Sequence, residues 1–238
     1  MNREISWGVR LLLYSLLSAF LMSCWGCHHS KANVVHSKVL LPLTAKVVFV
    51  GFQSAISPGG KPGVVHDPLS GSVFMAEPVP PDAAQTMTGT MFERLVAEKK
   101  FSLVSPGQAR GGFLSVIGSD RLGRLGVVEV LQEVGKSFDA DAVLVGYIYR
   151  WHERDGSDYG VNSPASVAFA LHLMRTIDGA VIWRASFDKT QRSLAENILD
   201  LSTFLSGRGR WMTVRELALL GIKDLLAELP AAPRERED

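Results

Sequence analysis

The chain has 238 residues, 47% of them hydrophobic, with 25 Lys and Arg set against 24 Asp and Glu. That apolar content excludes a disordered polymer, and the near-neutral balance argues against a polybasic surface for nucleic acid. The length is that of one large domain, or one with elaborations, with ample room for a buried core.

The amino terminus reads as an export signal. Arg3 and Arg10 flank the start, residues 11–22 (LLLYSLLSAFLM) run twelve positions without a charge, and Ser23 precedes Cys24. A basic segment, a short apolar segment and a small residue before the cut are the parts of a secretory signal peptide. A membrane-spanning helix needs about 20 apolar residues, more than are present. Leu21-Met22-Ser23-Cys24 resembles a bacterial lipobox. The resemblance implies that residues 1–23 are removed, that the Cys24 thiol carries diacylglycerol, and that the new amine is acylated with a fatty acid such as palmitate. The remaining 215 residues hold 23 charges of each sign. Trp25 follows the cysteine where Asp would retain a lipoprotein in the inner membrane, which implies sorting to the outer membrane, facing the periplasm.

A second pattern overlaps the first. Cys24-Trp25-Gly26-Cys27-His28 has the C-x-x-C-H spacing of a c-type haem attachment site. A haem needs an enclosing pocket and usually a second axial ligand, and a string beside a cleavage point has neither, so electron transfer through Cys24, Cys27 and His28 is the alternative. The expectation is a lipid anchor and no cofactor. Cys27 stays open as a spare thiol, a second acylation site or a partner for another thiol, and His28-His29 read as tail residues.

Residues 24–44 read as the lipidated cysteine and a tether, at most roughly 65 Å long if extended. Lys46–Phe52 (KVVFVGF) is a β-branched run of strand length. Residues 53–80, punctuated by Gly and Pro, read as a long loop, and long loops in compact domains are often functional. Within it the apolar Val73-Phe74-Met75 run is the first candidate partner-binding surface. Pro81-Asp82 opens a helix with Ala84, Met87, Met91 and Leu95 on one face, ending at Lys99-Lys100, whose cations suit a helix C-terminus. FSLVSP (101–106) is a short strand. Residues 107–125 are glycine-rich and take no assignment. Val127–Ser137 is a helix with Val127, Val130, Leu131 and Val134 inward.

Three strands follow: 142–151, 165–177 and 180–188, the last two joined at Asp178-Gly179, a two-residue hairpin signal. Tyr147, Tyr149, Trp151 and Trp183 fall at strand spacing and are expected to pack against the sheet. Ser193–Glu196 and Thr213–Glu216 both match S/T-x-x-E capping boxes and open two terminal helices. Residues 231–238 are a polar tail. The fold class is therefore α/β (α+β), a mixed, largely antiparallel sheet of about five strands with helices packed on its faces, spanning 45–230 as a single domain.

The strings KVVFVGF, FERLVAEKKFSLVSP, ADAVLVG (140–146) and LMRTIDGAVIW (173–183) resemble a superfamily of bacterial envelope lipoproteins. It comprises TolB amino-terminal domains, CsgG-like curli secretion lipoproteins and activators of penicillin-binding proteins. The resemblance covers about 46–229. It implies a TolB-N-like fold and a non-catalytic role as an interaction, assembly or activator component of secretion or cell-wall machinery, with an envelope protein as partner. A CsgG-like pore is the other alternative, but residues 155–164 (DGSDYGVNSP) are too short and polar for membrane-crossing strands of about 9–11 residues. Nothing in the chain indicates the oligomeric state.

The polar clusters of the chain offer little chemistry. His152 and Glu153, with His172 on the next strand, supply fewer ligands than the three or four convergent ones a zinc site needs. No nucleophile elbow, Walker loop or dinucleotide fingerprint occurs, so an enzyme is not expected. Arg208, Arg210 and Trp211 form a basic, aromatic turn between the last two helices and are the second candidate partner-binding surface, suited to phosphate or glycan.

Overall fold

The computed structural model describes residues 33–36, 41, 45–119, 123–192 and 209–230. The signal segment, Cys24, the first of the two expected terminal helices, Arg208 and the tail lie outside the described residues. The elements in chain order are β1 (Asn33–His36), β2 (Lys46–Ser54), β3 (Gly63–His66), β4 (Val73–Ala76), α1 (Pro81–Glu98), β5 (Ser102–Val104), α2 (Pro106–Ser119), α3 (Val127–Ser137), β6 (Ala142–His152), β7 (Asp155–Gly156), β8 (Val161–Ser163), β9 (Ser166–Arg175), β10 (Val181–Thr190) and α4 (Val214–Ala227).

Six strands form one mixed sheet in the order β1-β10-β9-β6-β2-β5. β2 runs parallel to β5 and β6, while β6, β9, β10 and β1 are successively antiparallel. The five strands expected from the sequence form one contiguous block. The sixth, β1, comes from the segment read as tether and adds to the open edge of β10. The turn after β9 is longer than its Asp-Gly dipeptide suggested. It spans residues 176–179, closed by Gly179 N–H donating to the Arg175 carbonyl (3.0 Å), because Thr176 N–H is drawn aside to the Asp141 carbonyl (2.9 Å).

Helices α1 and α4 cover one face of the sheet. Met87, Met91 and Leu95 of α1, and Leu217, Ile222 and Leu225 of α4, bury against Phe49, Leu144, Phe169, Leu171 and Trp183. Thr213 and Glu216 form the expected capping box at the start of α4. At Gly221 that helix comes so close that an added Cβ would lie 2.6 Å from the Phe187 ring. In α1, Ala83 rather than Ala84 is innermost. Lys100 caps a different helix from the one expected, its Nζ donating to the Leu226 carbonyl at the end of α4 (2.9 Å). β2 bulges beside β6 at Gly51, whose φ of +92° favours glycine.

The other face has two covers. Over Val48, Val50, Val143, Val145 and Met174 lie α2 and α3. Glycine made α2 illegible in the sequence, since propensity disfavours a helix there; packing of Ala109, Phe113 and Val116 overrides it. Val127 of α3 is exposed, not inward. The rest of this face, over Tyr149, Ala168 and Ala170, is covered by the β3–β4 hairpin. Segment 53–80 is therefore not an open loop but contains a packed two-stranded element. A bulge in β6 between Ile148 and Arg150 divides the strand-spaced aromatics, so Tyr149 meets the hairpin while Trp151 packs on the helical side.

Candidate functional site: a clasped hairpin with an apolar outer row

The β3–β4 hairpin is built by one carboxylate. Asp67 follows β3; its backbone N–H donates to the Ser72 carbonyl (2.7 Å) and its own carbonyl accepts from Gly71 (2.9 Å), closing the turn. Its Oδ1 accepts the N–H groups of Leu69 (2.9 Å) and Ser70 (2.7 Å), the self-capping habit of an Asp in a turn. The same side chain reaches inward to the sheet. Oδ1 lies 3.1 Å from His172 Nε2 on β9, and Oδ2 accepts the Tyr149 hydroxyl from β6.

All three side chains are sealed from solvent. Burial by itself would raise the Asp67 carboxyl; the hydrogen bond and charge of His172, with the bonds from Tyr149 and Ser70, outweigh it and hold the group well below the usual carboxylate range. The two phenols move the other way. Burial first, and then the charge of Asp67, push Tyr147 up to about 12, and burial with the Asp67 hydrogen bond raises Tyr149 further. Phe74 of β4 stacks flat on Tyr149 with centroids 3.9 Å apart, and Tyr147 meets the His172 ring edge-on at 6.1 Å. Arg184 of β10 adds a bond to the Ser70 carbonyl at the hairpin tip (3.3 Å). An Asp–His–Tyr group is chemically capable of acid–base work, but these atoms are buried beneath the hairpin. Its effect here is mechanical: it clasps the hairpin to the sheet.

With one face clasped, the other faces water. Strand alternation turns Phe74 and Ala76 inward and Val73 and Met75 outward. The pairs Val64↔Met75 and His66↔Val73 bring the outward residues of the two strands together. Val64, Val73 and Met75 are each about three-fifths exposed (61%, 60% and 58%). Of the Val73-Phe74-Met75 run, two residues thus lie on a surface and the central one is a core anchor; Val64 joins the outer row from β3, with no mark in the sequence that distinguishes it.

The second candidate surface is internally paired. Arg210 holds Glu216 with both terminal guanidinium nitrogens and lies 3.8 Å from Asp158; the hydrogen bond to Glu216 raises its pKa. Arg154 reaches the Trp211 carbonyl and Asp158. Arg210 is therefore already committed to carboxylates rather than standing ready for a phosphate.

His152, Glu153 and His172 are not brought together. His152 stands opposite Ser166 and His172 opposite Val145, a separation of seven residues along β6, roughly 23 Å. Glu153 instead accepts from Val214 N–H (3.1 Å) at the start of α4. Among the described residues no group of three or more His, Cys, Asp or Glu is placed to hold a metal ion, and no helix is long and apolar enough to cross a membrane. The Asp67–His172 contact was invisible in the sequence because 105 positions separate the partners. The only trace was one imidazole on an inward position of an apolar strand.

Comparison with protein-family models and with curated proteins gives no match. Among solved structures the chain is similar to the PelC dodecamer from Paraburkholderia phytofirmans, at 15% identity and a TM-score of 0.46, over 85% of this chain and 99% of that one. It is also similar to the LpoB C-terminal domain from Escherichia coli (16% identity, TM-score 0.36, 73% and 94%). A third is lipoprotein GNA1162 from Neisseria meningitidis (14%, 0.39, 68% and 91%).

Proposed function

We propose that this protein is a non-catalytic lipoprotein of the bacterial envelope. Cys24 anchors it to the periplasmic side of the outer membrane, and it binds an envelope protein through the outer row of the β3–β4 hairpin. The observation that carries the binding role is the contrast between the hairpin's two faces. One is fixed to the sheet by Asp67, His172, Tyr149 and Phe74, and the other presents Val64, Val73 and Met75 to solvent. An apolar row held on a rigid support loses little entropy on contact, which favours binding. The anchor rests on the signal architecture of residues 1–24.

The test places a photo-crosslinking residue at Met75, and separately at Ile177 in the β9–β10 turn, in cells. A discrete, reproducible adduct from Met75 and none from the more exposed Ile177 is the expected result. Adducts from both, or from neither, would remove the hairpin as the binding face.

A further inference from the structure

The candidates with chemistry or exposed surface are the sealed Asp67 cluster, the apolar residues along α2, the hairpin row, and the end of the sheet toward which β1 leads. The last carries an inference that deepens the anchor proposed above and rests on it. β1 is antiparallel to β10, with Asn33 opposite Ser186 and His36 opposite Trp183. Followed back from Asn33, the chain is therefore directed along β10 toward Thr190. That end of the sheet holds the end of β6 at His152 and the start of β9 at Ser166. It also holds the small β7–β8 hairpin between them and the 209–213 segment tied to it by Trp211 N–H donating to the Asp158 carbonyl (2.8 Å). The β9–β10 turn with Ile177 is at the opposite end.

Pairing of β1 shortens the tether. Only nine residue steps separate Cys24 from Asn33, about 30 Å when fully extended. A domain of this size is about 35–40 Å across, so an acylated Cys24 keeps the body against the bilayer. The direction of β1 at Asn33 favours the Thr190 end of the sheet.

That end has the chemistry of a bilayer interface. Tyr159 projects from the tip of the β7–β8 hairpin and is 85% exposed, and Trp211 lies half-buried beside it. Tyr and Trp are the side chains that settle at the headgroup level, with an apolar ring and a polar end. The carboxylate next to Tyr159 on the tip, Asp158, is paired with Arg154 and Arg210, while Asp155 at the base of the hairpin accepts a hydrogen bond from Asn162 (3.1 Å). We propose that the β7–β8 tip, with Tyr159 and Trp211, is a membrane-contacting surface that seats against the phospholipid leaflet in which Cys24 is anchored, fixing the orientation of the whole domain.

The test uses the full lipidated chain carrying Cys27→Ser, in vesicles of phosphatidylethanolamine and phosphatidylglycerol. A nitroxide is attached at Tyr159→Cys or, separately, at Ile177→Cys. Collision with an aqueous nickel relaxant should fall several-fold at 159, relative to the unlipidated Cys24→Ser chain in solution, and stay unchanged at 177. Inserting about twenty Gly and Ser residues after His29 should restore access at 159, since a flexible linker of that length no longer holds the body down. Unchanged access at 159, or protection at 177 instead, overturns the proposal. The mass of the amino-terminal peptide from the same sample keeps the outcomes apart. An unmodified Cys24 removes the anchor, and this proposal with it. A lipidated Cys24 with an exposed label at 159 removes the orientation alone.

Discussion

At the scale of single residues, Asp67 joins the most groups. Its carboxylate accepts four donors without exposure to water. Replacing it with Asn offers an amide N–H₂ where donors already converge, leaving buried groups unpaired at a cost of about 2 kcal/mol or more. Because its pKa is depressed in the folded chain while the unfolded value is about 4, the stabilisation from its ionised form is fully present above that value. It is lost as pH falls through the folded value. In urea denaturation the gap between the native chain and Asp67→Asn should therefore be wider at pH 7 than at pH 3; a gap that widens in acid would contradict the assignment. Trp183 provides a packing test. It is wholly buried among the helices of one face, so Trp183→Ala should cost about 3–5 kcal/mol. Trp211→Ala should cost little, because Arg154 and Asp158 bond its backbone rather than its indole. Equal losses of melting temperature in the two variants would contradict that placement.

At the scale of elements, the β3–β4 hairpin changes what segment 53–80 means. Read from sequence as a long loop bearing a candidate binding surface, it invites the expectation that deleting residues 58–76 leaves stability unchanged. The structure reverses that expectation. Such a deletion uncovers Tyr149, Ala168 and Ala170 and strands His172 in the interior, so thermal stability should drop sharply. The finer comparison is between neighbours on one strand. Phe74→Ala, losing a stacked and buried ring, should cost about 3–5 kcal/mol. Val73→Thr with Met75→Thr, both solvent-facing, should stay within about 0.5 kcal/mol while weakening the crosslinked partner complex. Calorimetry and the crosslinking yield should thus move in opposite order for the two variants.

At the scale of the whole molecule, the sheet is the rigid body and β1 its connection to the proposed anchor. Cys24 lies outside the described residues, and its proposed role is that of a lipid attachment point. Cys24→Ala should accordingly leave the melting temperature unchanged while abolishing lipid labelling and shifting the protein from the membrane pellet to the soluble fraction. Lipid label persisting on the variant would transfer the anchor to Cys27. The purified native chain should show no Soret absorption; a haem equivalent would restore the C-x-x-C-H alternative.

The local chemistry of the chain determined a good deal by itself. Hydrophobic periodicity marks β2, β6, β9, β10, α1 and α4, because each buries one face or both against a neighbour and repeats at the period of its own backbone. The capping box at Thr213 and Glu216 is equally local, since both partners lie within one turn. What the tertiary structure alone decided depends on contacts between distant segments. β1 is a strand only because β10 offers an open edge to Asn33–His36. α2 is a helix only because the sheet receives Ala109, Phe113 and Val116. Val73 and Met75 face outward only because Asp67, from a glycine- and proline-rich turn, meets His172 and Tyr149 across more than 80 residues of chain. A carboxylate, an imidazole and a phenol scattered in sequence carry no mark of pairing, and only the folded sheet brings them within bonding distance.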